Sequence, residues 1–372
     1  MTAVLEADPS DVGLDPDRLA RIDAHFGRHV DAGRLTGYQV LVARRGKVAH
    51  LSGGGWRDPE AELPVAPDTV YRIYSMTKPI TSVALMMLWE EGAFQLRDPV
   101  SAFLPAFADT PVWHGGTAEA PELVPQVEPM QVVHLFTHMS GLTYGFHHAH
   151  PTDELYRAAG YELGAPKGAT LADACDTWAR LPLRFQPGTR WNYGVSTDVL
   201  GRLVEVISGQ PLDVYLRERI FEPLGMTETS FDAVGRTDRL AALYVPQGPE
   251  KLAVRYDPIG RQVTRPATFL SGGGGLVSTI GDYHRFVGCL LGGGALDGQR
   301  ILGPRSLGLM SRNHLPGGVD MAALAEPGMT ELAREGTGFG LGFAVTLDPA
   351  TAKTAASVGD LAWGGAASTG FW

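Results

Sequence analysis

The sequence predicts an α+β protein in which an antiparallel sheet built from the N- and C-terminal segments is flanked by helices and joined to a mostly helical lobe. Three observations carry this. Apolar residues alternate around a tight turn at 37–52, and short apolar runs return at 338–347 and 363–372, so both ends read as strands. The long stretch between them reads mainly as helices. One of the helices, over 80–89, is apolar almost all round, and such a helix belongs in a core. The expected organisation is one domain over 15–372, with 1–88 and about 335–372 in the sheet lobe and about 89–334 in the helical lobe.

Composition narrows the function. With 44% hydrophobic and 19% charged residues among 372, the chain has the make-up of a soluble globular protein. A net charge of -10 and the lack of a basic run argue against nucleic acid or an anionic membrane as a partner. The first residues, Met1 to Ser10, have neither the basic nor the apolar region of a leader, and no apolar run approaches a membrane span, so the expected location is cytoplasmic. Cys175 and Cys289 are too few to define a framework and lie in helical apolar stretches, where free cysteine acts as a small hydrophobe. The sequence is silent on oligomeric state.

In order, residues 11–33 form a first helix, with Leu19, Ile22, Phe26 and Val30 at helical spacing. A hairpin follows over Gly37–Ser52, turning at Arg45-Gly46. Gly53-Gly54-Gly55 reads as a turn, and a proline-containing loop leads to Thr69. The apolar helix begins at or near Ser75 and is stopped by Gly92. No element is assigned to 113–129. Residues 130–142 read as a helix ended by Gly141; His134 and His138 stand four apart on it, which is metal-ligand spacing, but the H-E-x-x-H pattern needs Glu where Leu135 stands. They are read as partly buried helix residues, and no metal is expected. His147, His148 and His150 fall in an exposed loop. Further helices cover about Ala172–Leu181, Thr197–Ser208, 211–221 and Leu276–Leu291. The glycines of Ser271–Gly275 match neither a dinucleotide fingerprint nor a phosphate loop, and read as a tight turn or a close backbone approach. A strand over Gly338–Leu347 and another at Trp363 to Trp372 complete the chain.

The chemistry gathers at the start of the apolar helix. Ser75 and Lys78 are three apart, so hydroxyl and amine share a helix face beside the free N–H groups of the first turn, and Pro79 is tolerated there. A hydroxyl beside an amine at the positive end of a buried helix makes a nucleophile with a base at hand and a place for negative charge. S-x-x-K also arises by chance. Here, however, the chain has five lysines, and the one with serine three residues before it opens a buried helix, where an unpaired ammonium would be costly.

Five motifs stand in order: Ser75-x-x-Lys78, Leu135-Phe-Thr-His138-Met-Ser-Gly-Leu142, Gln186-Pro-Gly188 running into Tyr193, Gly273-Gly-Gly-Leu276-Val-Ser-Thr, and Trp363-Gly364-Gly365. With them the chain resembles the serine β-lactamase and penicillin-binding-protein-like hydrolases, and most of all their esterase branch, the family VIII carboxylesterases related to class C β-lactamases. The resemblance runs from about residue 15 to the end. It implies Ser75 as nucleophile, Lys78 as its partner, and Tyr193 as the tyrosine of the second motif that helps relay the proton. It also implies that Trp363, Gly364 and Gly365 line the cleft, that the N–H groups of Ser75 and Ala366 form the oxyanion hole, and that no metal or organic cofactor takes part. Lys78 and Tyr193 should titrate as a pair, so either can serve as the base. No G-x-S-x-G is present, which counts against an α/β-hydrolase elbow.

Two departures from the β-lactamase pattern bear on substrate choice. The third motif has Trp363 in place of lysine, and the second has Val195 in place of asparagine. The first removes a cation for the substrate carboxylate; the second removes an amide from the substrate cleft. The expected substrate is therefore a small-molecule ester with a short acyl or aryl group. The competing readings are a β-lactamase or D-Ala-D-Ala peptidase, and a non-catalytic scaffold or acyl-binding protein of the same fold. Related chains continue past the last strand, so truncation is expected at Phe371-Trp372.

Overall fold

The computed structural model describes residues 3–248, 252–256, 262–326 and 332–372. Helix α1 (Pro16–Asp31) starts at Asp15, whose side chain accepts the N–H groups of Asp17 and Arg18. It packs on an antiparallel hairpin of β1 (Gly37–Arg44) and β2 (Lys47–Asp58), which turns at Arg45 and Gly46, both left-handed at φ 55° and 75°. Gly53, Gly54 and Gly55 do not form the expected turn. They continue β2, opposite Gln39, Tyr38 and Gly37. The cause is space: a Cβ on Gly55 would lie 2.4 Å from the Thr36 carbonyl oxygen. Strand β3 (Leu63–Pro64) completes this sheet.

Strand β4 (Tyr71–Arg72) leads into a 3-10 turn at Tyr74–Met76 and then into α2 (Thr77–Glu90), buried without a break from Thr77 to Leu88 and followed by left-handed Gly92. The unassigned stretch 113–129 contains a hairpin of β5 (Val112–Gly116) and β6 (Pro121–Val124). The helix expected over 130–142 is only α3 (Val132–Phe136). It stops early because His138 takes the left-handed position, φ 57°, that glycine usually fills, and the Met139 N–H closes back on the His134 carbonyl at 2.9 Å. His134 caps the other end, its Nδ1 accepting the Gln131 N–H at 3.2 Å. His150 likewise caps the next helix, α4 (Pro151–Ala158), with Nδ1 on the Thr152 N–H.

Helices α5 (Leu171–Trp178), α6 (Ser196–Ser208) and α7 (Leu212–Leu216) follow, the last continuing as a π turn over Arg217–Phe221. Two short strands, β7 (Tyr244–Pro246) and β8 (Ala253–Arg255), pair with each other. The first residues of the helix expected over Leu276–Leu291 are instead β9 (Val277–Ser278), paired with β4, and Thr279 then caps α8 (Ile280–Leu291). A small hairpin of β10 (Ala295–Leu296) and β11 (Gln299–Arg300) precedes α9 (Pro304–Met310).

The last segment forms a four-stranded antiparallel sheet in the order β12 (Thr337–Phe339), β13 (Ala344–Thr346), β14 (Leu361–Gly365), β15 (Thr369–Phe371). The single strand expected over 338–347 is a hairpin that turns over 340–343, where Gly342 takes a positive φ of 108° that side chains rarely adopt. A Cβ on Gly342 would lie 2.2 Å from Ser82 Oγ on α2. The class is α+β as expected, but among the described residues the strands of the two ends pair as two antiparallel sheets, each completed by local hairpins, with no ladder between them. The main core forms around α2 and α6, which pack together; a second, aromatic cluster holds Met139, Trp191, Tyr193, Phe339 and Trp363. Cys175 and Cys289 are buried and unpaired. Among the described residues no helix is long and apolar enough to cross a membrane.

Burial pushes the His134 imidazole down to about 4. The unfolded chain takes up that proton near 6.5, so the stability His134 contributes is complete above that pH and is lost as the pH falls toward about 4. Melting temperature should therefore decline between pH 7 and pH 5, and His134→Asn, which can keep an acceptor for the cap, should flatten part of that decline. An unchanged slope in scanning fluorimetry would assign the acid sensitivity elsewhere.

Candidate active site

Ser75 sits in the 3-10 turn just ahead of α2, and the turn is held from several sides. Tyr74 adopts a left-handed φ of 42°, uncommon for a bulky residue and worth about 1–3 kcal/mol of local strain. The surroundings over-determine it: the Ile73 N–H donates to the Leu276 carbonyl at 3.1 Å, the Tyr283 hydroxyl to the Met76 carbonyl at 2.9 Å, and the Leu276 N–H to Thr77 Oγ1 at 3.2 Å. Ser75 is itself half-buried, so its hydroxyl remains reachable.

Lys78 lies in the first turn of α2 and is 1% exposed. Its Nζ donates to Ser75 Oγ at 3.2 Å, to the Tyr144 hydroxyl at 3.1 Å and to the Gly273 carbonyl at 2.7 Å. An ammonium has three protons, and here each has an acceptor. The Tyr193 hydroxyl donates to the same Ser75 Oγ at 2.7 Å, and Nζ stands 4.5 Å from the centre of the Tyr193 ring. The geometry thus brings Ser75, Lys78 and Tyr193 into mutual contact and adds Gly273, known from the sequence as part of a glycine motif, and Tyr144, which the sequence reading did not single out.

Tyr193 is fixed by packing. Its ring lies 4.8 Å from His138, 6.3 Å from Trp191 and 5.6 Å from Trp363, and Phe339 backs His138 and Trp363 at 5.5 and 5.3 Å. His138 is held neutral, well below its ordinary value, by burial first and by the Lys78 charge second. The neighbouring Asn192 is buried, its side-chain amide donating to the Leu142 carbonyl at 3.0 Å and its N–H to the His138 carbonyl at 2.9 Å. Burial pushes the Tyr144 phenol well above its ordinary value, so it stays protonated. Thr143, just before it, donates to the buried Asp153 carboxylate at 2.7 Å, and Arg184 bridges Asp153, Asn192 and Glu326 at 4.0, 3.2 and 3.6 Å. This buried charge network ties the loop carrying Tyr144 to the segment carrying Tyr193.

The end of β14 runs past Ser75. Gly365 comes so close to the Ser75 turn that a Cβ there would lie 2.3 Å from the Ile73 carbonyl oxygen. Gly364 is exposed, and Ala366, also exposed, opens the turn into β15. The Trp363 ring is buried against Tyr193 and Phe339 as a wall. Val195 departs from expectation: it precedes α6 with its side chain in the main apolar core, because the helix it introduces is buried from Ser196 onward. The turn Ser271–Gly275 is the close approach expected of it, and His147 packs edge-on to Tyr144 at 5.8 Å.

Comparison with known proteins places the chain in a family. The beta-lactamase family model matches residues 22–372. Protein Rv1367c of Mycobacterium tuberculosis is 36% identical over 347 residues, which is 91% of this chain and 82% of that one. Esterase EstB of Burkholderia gladioli is 32% identical over 393 residues, 98% of this chain and 89% of its own. Among solved structures, EstCE1, described as a hydrolase with promiscuous acyltransferase activity, is similar with a TM-score of 0.76 at 28% identity, covering 93% of this chain and 87% of that one.

Gly365→Ala should force the Ile73 carbonyl and the Ser75 turn aside, slowing phosphonylation of the protein by a fluorophosphonate by about a hundredfold, the usual cost of a displacement near 1 Å. Gly364→Ala, whose Cβ meets only the Thr369 carbonyl oxygen at 3.3 Å, should react like the wild type. Intact-mass time courses distinguish the two, and equal rates would show that the strand does not set the nucleophile's position.

Proposed function

The chain belongs to the beta-lactamase family and is a serine hydrolase; from that premise we propose that it is a carboxylesterase that cleaves short-chain acyl and aryl esters through an acyl-enzyme on Ser75. The observation that carries the reading is the position of Ser75 Oγ, 2.7 Å from the Tyr193 hydroxyl and 3.2 Å from Lys78 Nζ. Acylation starts from the pair one proton short, with a lone pair free on Lys78 Nζ or on the Tyr193 oxygen: the Ser75 oxygen attacks the ester carbonyl carbon while its proton passes to that pair, and the tetrahedral oxyanion is met by the N–H groups of Ser75 and Ala366. Collapse expels the alcohol, which takes the proton back from the pair. Water then attacks the acyl-enzyme along the same relay, releasing the acid and restoring Ser75. Because the two groups serve one proton, they act as a unit, and either can be the member that takes it.

The reaction as written uses no metal or organic cofactor, and its partner is the small-molecule ester. Relatives support ester cleavage: EstB is named an esterase and EstCE1 a hydrolase that also transfers acyl groups. That second name favours one further reading, in which an alcohol replaces water in deacylation. For β-lactam cleavage the support is weaker. Trp363 presents an indole where a cation would hold the substrate carboxylate; of the two other candidate partners, Arg190 and His314, Arg190 is paired with Glu326 and His314 Nε2 is engaged with the Leu309 carbonyl at 2.9 Å.

The wild type should gain a single phosphonyl adduct that Ser75→Ala abolishes, and Lys78→Ala and Tyr193→Phe should each lower kcat for a short aryl ester by about two to four decades. Their double mutant should lose much less than the two effects multiplied, as residues acting as a unit do. Labelling at another serine removes Ser75 from the mechanism; multiplicative losses separate the two relay residues.

On substrate choice, kcat/KM for a short aryl ester should exceed that for a chromogenic cephalosporin by at least about a hundredfold, since a missing charged partner costs ~2–3 kcal/mol. Trp363→Lys should narrow the gap. Comparable wild-type rates on both substrates would move β-lactam cleavage ahead of ester cleavage.

A further inference from the structure

We propose that Asp198 is a positioning residue for Lys78, acting across α6, the glycine turn Ser271–Gly275 and α2. Asp198 is buried in the first turn of α6. Its Oδ1 accepts the Ser271 hydroxyl at 2.5 Å and the Gly273 N–H at 3.0 Å, while the carbonyl of that same Gly273 accepts Lys78 Nζ at 2.7 Å, the shortest of the three contacts of the ammonium. The next carbonyl back, on Gly272, accepts the Thr81 hydroxyl of α2 at 2.8 Å. The turn lies so close to α6 that there is no room for a side chain on either glycine. A Cβ on Gly273 would lie 2.5 Å from Asp198 Oδ2, and one on Gly272 would lie 2.7 Å from the Thr197 carbonyl oxygen. One glycine residue therefore joins a buried carboxylate to a buried ammonium.

The chemistry gives this link a role. Once Lys78 has lost a proton it keeps two N–H donors and one lone pair. Of its three partners the Gly273 carbonyl can only accept, the protonated Tyr144 phenol can accept, and Ser75 alone has to give up a proton. Fixing the Gly273 carbonyl thus turns the lone pair toward Ser75. The charge of Asp198 acts in parallel. Burial raises the Asp198 carboxyl, and the largest influence pulling it back is the Lys78 charge, ahead of the Ser271 and Gly273 hydrogen bonds. The groups facing the pair are Tyr193, Tyr144 and His138 around Lys78, and Ser271 and Cys175 of α5 around Asp198.

This inference rests on the reading of Lys78 as the proton carrier, and its test separates the two. Asp198→Asn keeps the shape and an acceptor oxygen but removes the charge; Ser271→Ala removes one hydrogen bond and leaves the charge. For a short aryl ester, Asp198→Asn should lower kcat by about tenfold or more with KM within about twofold. It should also move the acidic limb of the kcat profile down by about one pH unit, because the ammonium loses its buried counter-charge. Ser271→Ala should lower kcat less and leave the limb in place. With five lysines in the chain, lysine labelled with 13C at Cε gives an independent readout: the resonance missing from Lys78→Met should change at lower pH in Asp198→Asn than in the wild type. A folded Asp198→Asn protein with the wild-type limb and resonance profile overturns the proposal. If that protein does not fold, Ser271→Ala decides, and an unchanged kcat there overturns it as well. A wild type that hydrolyses no ester, together with a resonance that still moves in Asp198→Asn, would discard the esterase reading and leave the link between Asp198 and Lys78 standing.

Discussion

A buried ammonium dictates much of what surrounds it. Lys78 is 1% exposed, and leaving such a charge without acceptors would cost several kcal/mol. Its three acceptors come from three parts of the chain: the 3-10 turn of Ser75, the loop of Tyr144 and the glycine turn of Gly273. Satisfying Lys78 therefore fixes all three at once. The left-handed Tyr74, the glycines that admit α6 to the turn, and the charge network that holds Thr143 beside Tyr144 all supply conditions for that one contact set.

The aromatic cluster does complementary work from the other side of the serine. The Tyr193 hydroxyl lies on Ser75 Oγ, and four rings confine its own: His138, Tyr144, Trp191 and Trp363, with Phe339 behind His138 and Trp363. Among these only His138 titrates near neutrality, and burial with the Lys78 charge keeps it uncharged. The aromatic wall itself therefore adds no charge beside the tyrosine, and Lys78 is the cation packed on its ring. Trp363 belongs to this wall by shape, which explains how an indole can stand where related hydrolases have a cation and still leave the nucleophile intact.

Local chemistry made the frame legible in the sequence. The hairpin turn at Arg45-Gly46, the apolar run of α2 with Gly92 after it, and the Ser75 to Lys78 spacing each state their geometry within a few residues. What stayed hidden depends on distant partners or on residues used against type. Gly53 to Gly55 resemble a turn in sequence, but they pair with Gln39, Tyr38 and Gly37 as strand, where Tyr38 and Thr36 leave no room for side chains. His138 ends α3 in a conformation that glycine normally announces. Tyr144 follows a motif without being part of its pattern, and Asp198 reaches Lys78 only through a turn 75 residues away from it in sequence. Val195 takes its place from the buried helix it introduces and not from the motif it interrupts.

The separations along the chain have a kinetic side. The Ser75 to Tyr193 contact spans 118 residues and the Lys78 to Gly273 contact spans 195, so neither can form in a nascent or half-collapsed chain. Contacts of that range are made late, after loop closure has been offset by other packing. Until then Lys78 lacks its interior acceptors and is better left in water, and Ser75 is an ordinary hydroxyl. The contact set of Ser75, Lys78 and Tyr193 is for that reason a property of the finished fold and is not assembled in a partly folded chain.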